Sequence, residues 1–539
     1  MAKITIVGSG ASGIHFALSV LKKGHQVEMF DVGYSGSPSV NPEYTFIDLK
    51  SKLEDPVEYF LGKDYESVVP PDFDQEIYEF PPNKMYLFKH PPGFQTEVEQ
   101  FEPLFSFARG GLAEAWTGGS YPFNNSDMKD FPFDFKTIKP YYEEVADRIG
   151  LIGHKDDLTK YFPWHNHLLP PLELDENSRL ILKNYEKKRS TINKQGFYLG
   201  RSRIATLSKD KGERKACDYS GRCLWGCPSD SLYVPSLTLE ECKRFPNFSY
   251  KSGIFVHYFK SNAEKRITRL VAYNLEDNSI HEWPVEHLVL AAGTLSSSKI
   301  FLDSVYKQTG QIIKLDGLMD NRQVLVPFIN LRMLGKSYDP ECYVYHQLAV
   351  GFECELTNQY IHGQITTLKT ALVHPVTQQI PLDLKTSTFL TRNLHSGLGV
   401  ININFCDTRR KDNTVTIEPL SDAKPEGIDT RLKIHYQPVA EEKKIINRAT
   451  KRVMKFLFKL GAVAPPMMIQ PRPMGASVHY SGTLPMTIDF KPLTLTPDCQ
   501  SRDFKNLFFV DGTSFPFLPA KNLTFTMMAN AARVADNLF

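Results

Sequence analysis

No run of about 18 apolar residues occurs in the 539-residue sequence, so a membrane span is not expected. Met1 does not lead into a basic stretch, an apolar core and a cleavage site. It runs straight into the strand-like Lys3-Ile4-Thr5-Ile6-Val7, so secretion is not signalled and a cytoplasmic location is expected. An excess of one charge is lacking too. The 63 basic residues stand against 61 acidic ones, a net +2, which gives no field that would gather nucleic acid or an anionic surface. A neutral or weakly charged small molecule is the expected partner. Cysteine is scarce: eight in so long a chain make no disulfide scaffold, and Cys242, Cys342, Cys354, Cys406 and Cys499 stand singly, as small buried hydrophobes do. No repeat at a solenoid or propeller period is visible. What remains is a composition of 42% hydrophobic and 23% charged residues, with length enough for two domains that each bury a core.

The first informative segment is local. Ile4 to Val7 reads as a strand, Gly8-Ser9-Gly10-Ala11-Ser12-Gly13 as a turn, Ile14 to Lys23 as a helix and Gln26 to Phe30 as a second strand ending at Asp31. Gly8, Gly10 and Gly13 form G-x-G-x-x-G in the context that makes it informative. The first glycine allows the turn, the second lets backbone approach a pyrophosphate, and the third lets helix and strand pack, with the helix N-terminus facing negative charge. Asp31 stands where it accepts hydrogen bonds from a ribose. This much does not separate FAD from NAD.

Four further stretches make the separation. They are Arg109-Gly110-Gly111-Leu112 with Trp116-Thr117-Gly118-Gly119; Val289-Leu290-Ala291-Ala292-Gly293-Thr294; Gly475 to Thr483 around His479; and Asn506 to Gly512, with Asp511-Gly512 at its end, followed by Asn522-Leu523-Thr524 at the start of a helix. In this order they resemble the glucose-methanol-choline (GMC) flavoproteins, at both ends of the chain and in its middle. The resemblance implies that Ala11, Ser12, Arg109, Gly110, Gly111, Trp116, Thr117, Ala292, Gly293, Asp511, Gly512, Leu523 and Thr524 join the fingerprint glycines and Asp31 in holding FAD. It also implies that His479 and Asn522 are the catalytic pair. Taken alone, Asn522 reads as a helix N-cap and His479 as a hydrogen-bonded core histidine.

The implied fold is α/β: a Rossmann-like FAD domain assembled from discontinuous segments, and a substrate domain on an antiparallel sheet. The expected boundaries are 1–320, with inserted loops near 40–100 and 150–215, then 321–470 for the substrate domain and 471–539 for the return. Six strand-like stretches, Val324 to Leu331, Tyr343 to Leu356, Tyr360 to Leu368, Leu398 to Phe405, Asn413 to Ile417 and Leu432 to Tyr436, predict that sheet. Helices are expected near Ser178 to Lys188 and from Glu441 to Leu460, stopped by Gly461.

The implied activity is FAD-dependent oxidation of a CH–OH group to a carbonyl. The stretch from Gly111 to Thr117 is similar to the loop of pyranose-type oxidases, which implies a sugar, glycoside or other polyhydroxylated alcohol. A larger hydrophobic metabolite, and a lyase that binds FAD without redox turnover, stay open. So does the electron acceptor, whether oxygen, a quinone or a protein. Pyranose-type relatives join a histidine of this loop to the flavin, whereas Ala115 stands at that place, so FAD is expected to be non-covalent. Cys217, Cys223 and Cys227-Pro228 are spaced like a ferredoxin run with Ser220 at the second cysteine place, and are read as a structural loop without a metal.

Overall fold

The computed structural model describes residues 1–36, 41–63, 65, 81–163, 166–337, 339–368, 377, 380–421 and 427–539. Part of the expected 40–100 insertion therefore lies outside the described residues.

A five-stranded parallel sheet carries the first half of the architecture, in the order Leu507–Phe509, His287–Leu290, Lys3–Val7, Gln26–Phe30, Phe248–Lys251. Its strands come from both ends and the middle of the chain, as a discontinuous Rossmann-like domain requires. Ile4, Ile6, Val27, Met29, Leu288, Val289 and Leu507 are all buried, because helices cover the sheet. The helix Ala11–Lys22 follows the first strand and packs against Thr524–Leu538 and Pro235–Lys243. After the strand Phe248–Lys251 the chain forms a three-stranded antiparallel meander, Ile254–Ser261, Ile267–Asn274 and Ser279–Pro284.

The second large sheet is antiparallel and has seven strands. Ala462–Val463, Gln323–Asn330, Leu398–Asn404, Tyr360–Thr367, Leu348–Glu353 and Tyr198–Arg201 run in that order, and Gln470–Pro471 pairs beside Gln323–Asn330. Along Tyr360–Thr367 and Leu398–Asn404 the side chains alternate. Ile361, Ile365, Ile401 and Ile403 join Val324, Val326 and Phe328 in a core closed by Ile181 of the helix Glu176–Asn193 and by Val453, Phe456 and Leu457 of Glu442–Leu460. The latter helix ends on Gly461 in a left-handed conformation, as its sequence predicts.

Two of the six expected strands lie elsewhere. Thr414–Pro419 and Thr430–His435 pair with each other, with Lys314–Asp316 and with Thr96–Glu99 in a separate four-stranded sheet. Val415, Ile417, Leu432 and Ile434 belong to the core of the parallel sheet. Their alternation specified a half-buried strand but not which core it would enter. No helix among the described residues is long and apolar enough to cross a membrane.

Candidate active site

The cavity at the carboxyl end of Lys3–Val7 has a volume of about 300 Å³ and runs from the glycine turn to His479 and Asn522. It opens where the chain order of the parallel sheet reverses, with Gln26–Phe30 on one side of the first strand and His287–Leu290 on the other.

The fingerprint end is shaped by backbone. A Cβ on Gly13 would overlap the Gly8 carbonyl oxygen, so helix and strand meet closely only through glycine. Gly10 differs: a Cβ there would meet nothing nearer than 4.0 Å, so the backbone is open on its cavity side. It is also the N-cap of Ala11–Lys22 and has no side-chain capping bond, which leaves the first amides of that helix for an anionic ligand. Asp31 lines the same cavity, takes a hydrogen bond from Ser9 Oγ and another from the Tyr250 hydroxyl at 3.3 Å, and is pushed up to about 6 by burial. A dinucleotide suits this cradle: the uncapped helix start would hold its pyrophosphate and Asp31 would accept from its ribose hydroxyls.

Ala11, Ser12, Gly110, Gly111, Trp116, Thr117, Ala292, Gly293, Leu523 and Thr524 also line the cavity. Trp116 is held by an indole bond to the Tyr233 carbonyl at 2.6 Å. Asp511 is a brace: its carboxylate accepts from Gly293 N at 3.0 Å, from Ser297 Oγ at 2.6 Å and from Thr513. Arg109 is not part of the lining. Its guanidinium stands 3.7 Å from Glu240 in a solvent-exposed ion pair.

At the other end a chain of side-chain hydrogen bonds has a fixed direction. Asn321 Nδ2 donates to the Phe405 carbonyl at 2.7 Å and to the Pro519 carbonyl at 3.0 Å, so both its amide protons are committed. Its Oδ1 is therefore the acceptor for His479 Nδ1, 3.0 Å away, and the imidazole proton sits on Nδ1. That leaves a lone pair on Nε2, which faces Asn522 Nδ2 at 3.2 Å. Asn522 Oδ1 in turn accepts from Gln364 Nε2 at 2.7 Å. Burial, helped by Arg472, lowers the His479 imidazole to about 4, so it is neutral near pH 7 and able to accept a proton.

Neighbouring residues hold both members of the pair. Gly475 N donates to Asp320 Oδ2 at 2.7 Å, Ser477 Oγ to Asp320 Oδ1, and His479 N to Ser477 Oγ at 3.1 Å, while Met319 and Ser481 exchange backbone bonds at 2.9 and 3.1 Å. Residues 319–321 thus grip the histidine loop on both sides. Between those grips Val478 has φ +56°, a conformation that a β-branched residue adopts only when its surroundings impose it. Asn522 follows Lys521, a fully buried ammonium that donates to Asp127 at 2.5 Å and to the carbonyls of Tyr161 and Pro122.

The N-cap reading of Asn522 is not how the helix is built. Thr524–Leu538 has Leu523 as its N-cap, without a side-chain bond, and the Asn522 amide is spent on His479 and Gln364. Sequence reasoning missed Asp320, Asn321 and Gln364, which lie far from positions 479 and 522 in the chain. Only Gln364 left a trace, as a polar residue two places after His362 in a strand whose alternate positions are apolar.

None of the eight cysteines is joined in a disulfide. Cys217 and Cys223 pack beside Tyr343, near Cys227 and Cys342, and burial pushes the Cys217 thiol up to about 12. Among the described residues no group of three His, Cys, Asp or Glu side chains is placed to hold a metal ion.

The C-terminal profile described as GMC oxidoreductase matches residues 409–531. Paromamine 6'-oxidase of Streptomyces fradiae is 22% identical over 99% of this chain and 90% of its own length. Among solved structures, pyridoxine 4-oxidase from Mesorbium loti superposes with a TM-score of 0.63 at 13% identity, covering 100% of this chain and 99% of that one. Formate oxidase gives 0.62 at 11% identity, with 99% and 98% covered. An FAD-dependent oxidoreductase from Chaetomium thermophilum gives 0.58 at 11%, with the same coverage. At these identities the likeness is one of fold.

Proposed function

We propose that the chain is an FAD-dependent oxidoreductase of the GMC type acting on CH–OH donors, and that it oxidises a sugar, glycoside or other polyhydroxylated alcohol, with His479 as the base. The fingerprint, the Ala292-Gly293 turn and the 511–512 segment would hold FAD without a covalent bond, and FAD when bound would supply the hydride acceptor. The observation that carries the reading is the direction of hydrogen bonding at His479. A CH–OH group that loses hydride leaves a protonated carbonyl unless its hydroxyl proton departs as well, so a base must stand within hydrogen-bond reach. His479 lines the cavity, and with Nδ1 anchored on Asn321 its accepting nitrogen is Nε2, on the Asn522 side. Asn522 Nδ2 already points at that lone pair, so a hydroxyl arriving there is oriented between amide and imidazole. The clamp by Asp320 keeps the imidazole in place during the transfer.

The polyhydroxylated substrate is supported by the name of the paromamine 6'-oxidase relative, at low identity, and by the loop from Gly111 to Thr117. Anaerobic mixing with a panel of sugars and lipophilic alcohols tests it, because bleaching of the flavin absorbance reports hydride transfer directly. Bleaching by sugars is the expected result. Bleaching by lipophilic alcohols alone would move the substrate to the hydrophobic class, and none with any alcohol would point to a lyase.

A further inference from the structure

The near-neutral total charge of the chain hides an uneven distribution. The helices Glu176–Asn193 and Glu442–Leu460 together carry twelve basic residues against three acidic ones, a net +9 in a chain of net +2, so the rest of the protein stands at −7. They lie side by side over the seven-stranded sheet, joined by bonds from Asn184 Nδ2 to the Leu460 carbonyl at 2.7 Å and from Arg452 to the Gln195 carbonyl at 2.9 Å. Their apolar sides enter the isoleucine core, so the charge stands on the outward side of this layer.

That charge is only partly neutralised. The arginines of the two helices are paired, Arg179 with Glu176, Arg189 with Asp157, and Arg448 and Arg452 with Glu355. Lys183, Lys187, Lys443, Lys444 and Lys451 are exposed and have no ion-pair partner among the described residues. Like charges four places apart, such as Lys183 and Lys187 or Lys451 and Lys455, repel each other and weaken a helix, a cost that an anionic partner would relieve. Lys444, Arg448, Lys451, Lys455 and Phe458 follow at spacings of four and three, which sets them in one exposed stripe. It ends on an aromatic ring that is 71% exposed. Beside it the Leu331 amide donates to the Gly461 carbonyl at 3.1 Å, and Leu331, Val463 and Met467 are exposed too.

We propose that this two-helix face docks the enzyme on an anionic membrane surface, with Phe458, Leu331, Val463 and Met467 entering the headgroup layer and the lysines held over it. The face lies on the bilayer and does not span it. A nucleic acid would meet the charge but offers no hydrocarbon to Leu331, Val463 and Met467, and the guanidinium forks suited to its phosphates and bases are already taken. The net negative remainder of the protein is repelled by the same lipid, which turns the basic face toward it. Docking involves neither the cavity nor the base, so flavin reduction in solution does not depend on it.

Cosedimentation of the holoenzyme with phosphatidylcholine vesicles, with and without about 30% phosphatidylserine, tests the proposal. Binding is expected only with the serine lipid, and it should be lost at about 1 M salt, where the Debye length falls to about 3 Å. Lys183→Glu, Lys187→Glu, Lys444→Glu and Lys451→Glu combined should weaken binding about tenfold or more and leave flavin content and anaerobic flavin reduction unchanged. The same reversal at Lys209, Lys314, Lys411 and Lys505, exposed lysines outside the two helices, should cost less than about twofold. If the first set does not fold, the same four lysines changed to Gln should still weaken binding and spare flavin reduction. Phe458→Ser should weaken binding about threefold or more without lowering Tm, because most of the ring is in solvent. Equal binding to both vesicle types, binding to neither, or equal losses from the two sets of lysines would overturn the proposal. So would binding to a short DNA duplex that exceeds vesicle binding and ignores Phe458→Ser, which would assign the face to nucleic acid.

Discussion

The parallel sheet opens directly onto the cavity, whereas the seven-stranded antiparallel sheet touches its catalytic end through Gln364, which donates to Asn522. The parallel sheet offers backbone: the open Gly10 turn, the uncapped amides of Ala11–Lys22 and the Gly293 turn. The antiparallel sheet offers a side chain, Gln364, whose amide fixes Asn522. A dinucleotide's phosphates can be met by any sequence that shapes the backbone correctly, so that side is built from small residues at fixed spacing. A substrate must be told from its competitors, and that needs donors and acceptors placed one at a time.

Substitutions should separate the two kinds of recognition. The largest effect is expected from Gly13→Ala, whose Cβ overlaps the Gly8 carbonyl: the purified protein should carry no flavin, read as loss of its absorbance near 450 nm. Yellow protein with ordinary flavin content would break the claim that this side works by close backbone approach. Next comes His479→Ala, which should keep bound FAD but slow flavin reduction about 100-fold or more at saturating alcohol in rapid mixing. An unchanged rate with full flavin occupancy would remove His479 from the chemistry.

The same histidine sets a pH dependence. Its folded pKa, about 4, lies below the ordinary value of 6.5, so the neutral base persists from pH 8 down to about 5 and protonates only as pH falls through about 4. The reduction rate should be level between pH 6 and 8 and fall toward pH 4. Because the unfolded chain binds this proton first, the histidine's stabilising contribution is complete above 6.5 and declines between 6.5 and 4.

Asp320 gives a finer contrast. Asp320→Ala should slow reduction on the order of tenfold, since a misplaced base loses effective concentration. Asp320→Asn should stay within about threefold, because its amide can accept from Gly475 N and donate to Ser477 Oγ. Equal losses in both would show that charge, and not the two hydrogen bonds, holds the loop. The smallest expected effect concerns Ala115, which carries no nucleophile: acid precipitation should release all the flavin into solution, and colour in the pellet would contradict non-covalent binding.

How much of this was legible follows the distance between interacting residues. Strand, glycine turn, helix and Asp31 lie within one short segment, so spacing alone carried their geometry. His479 and Asn522 could be named from family resemblance, but what holds them side by side lies in Asp320, Asn321 and Gln364, which only folding brings near. The buried polar face of the antiparallel sheet, which carries Gln364, was present in the sequence as His362-Gly363-Gln364 and Asn402-Ile403-Asn404. Such alternation ordinarily marks a strand with one face in water, and nothing in the pattern says that this face is covered. The strands at 414–419 and 430–435 mislead for the same reason, since alternation identifies an inward face without naming the core it enters.

The strand Leu507–Phe509 closes a sheet begun by Lys3–Val7, and the helix Thr524–Leu538 then lies against Ala11–Lys22. During synthesis the first strand and its helix therefore emerge long before the segments that cover them. Contacts this remote along the chain make assembly slow and leave an apolar edge uncovered while translation proceeds. The nascent polypeptide is expected to depend on chaperones until its final helix has docked, and flavin uptake to be one of the last events of its maturation.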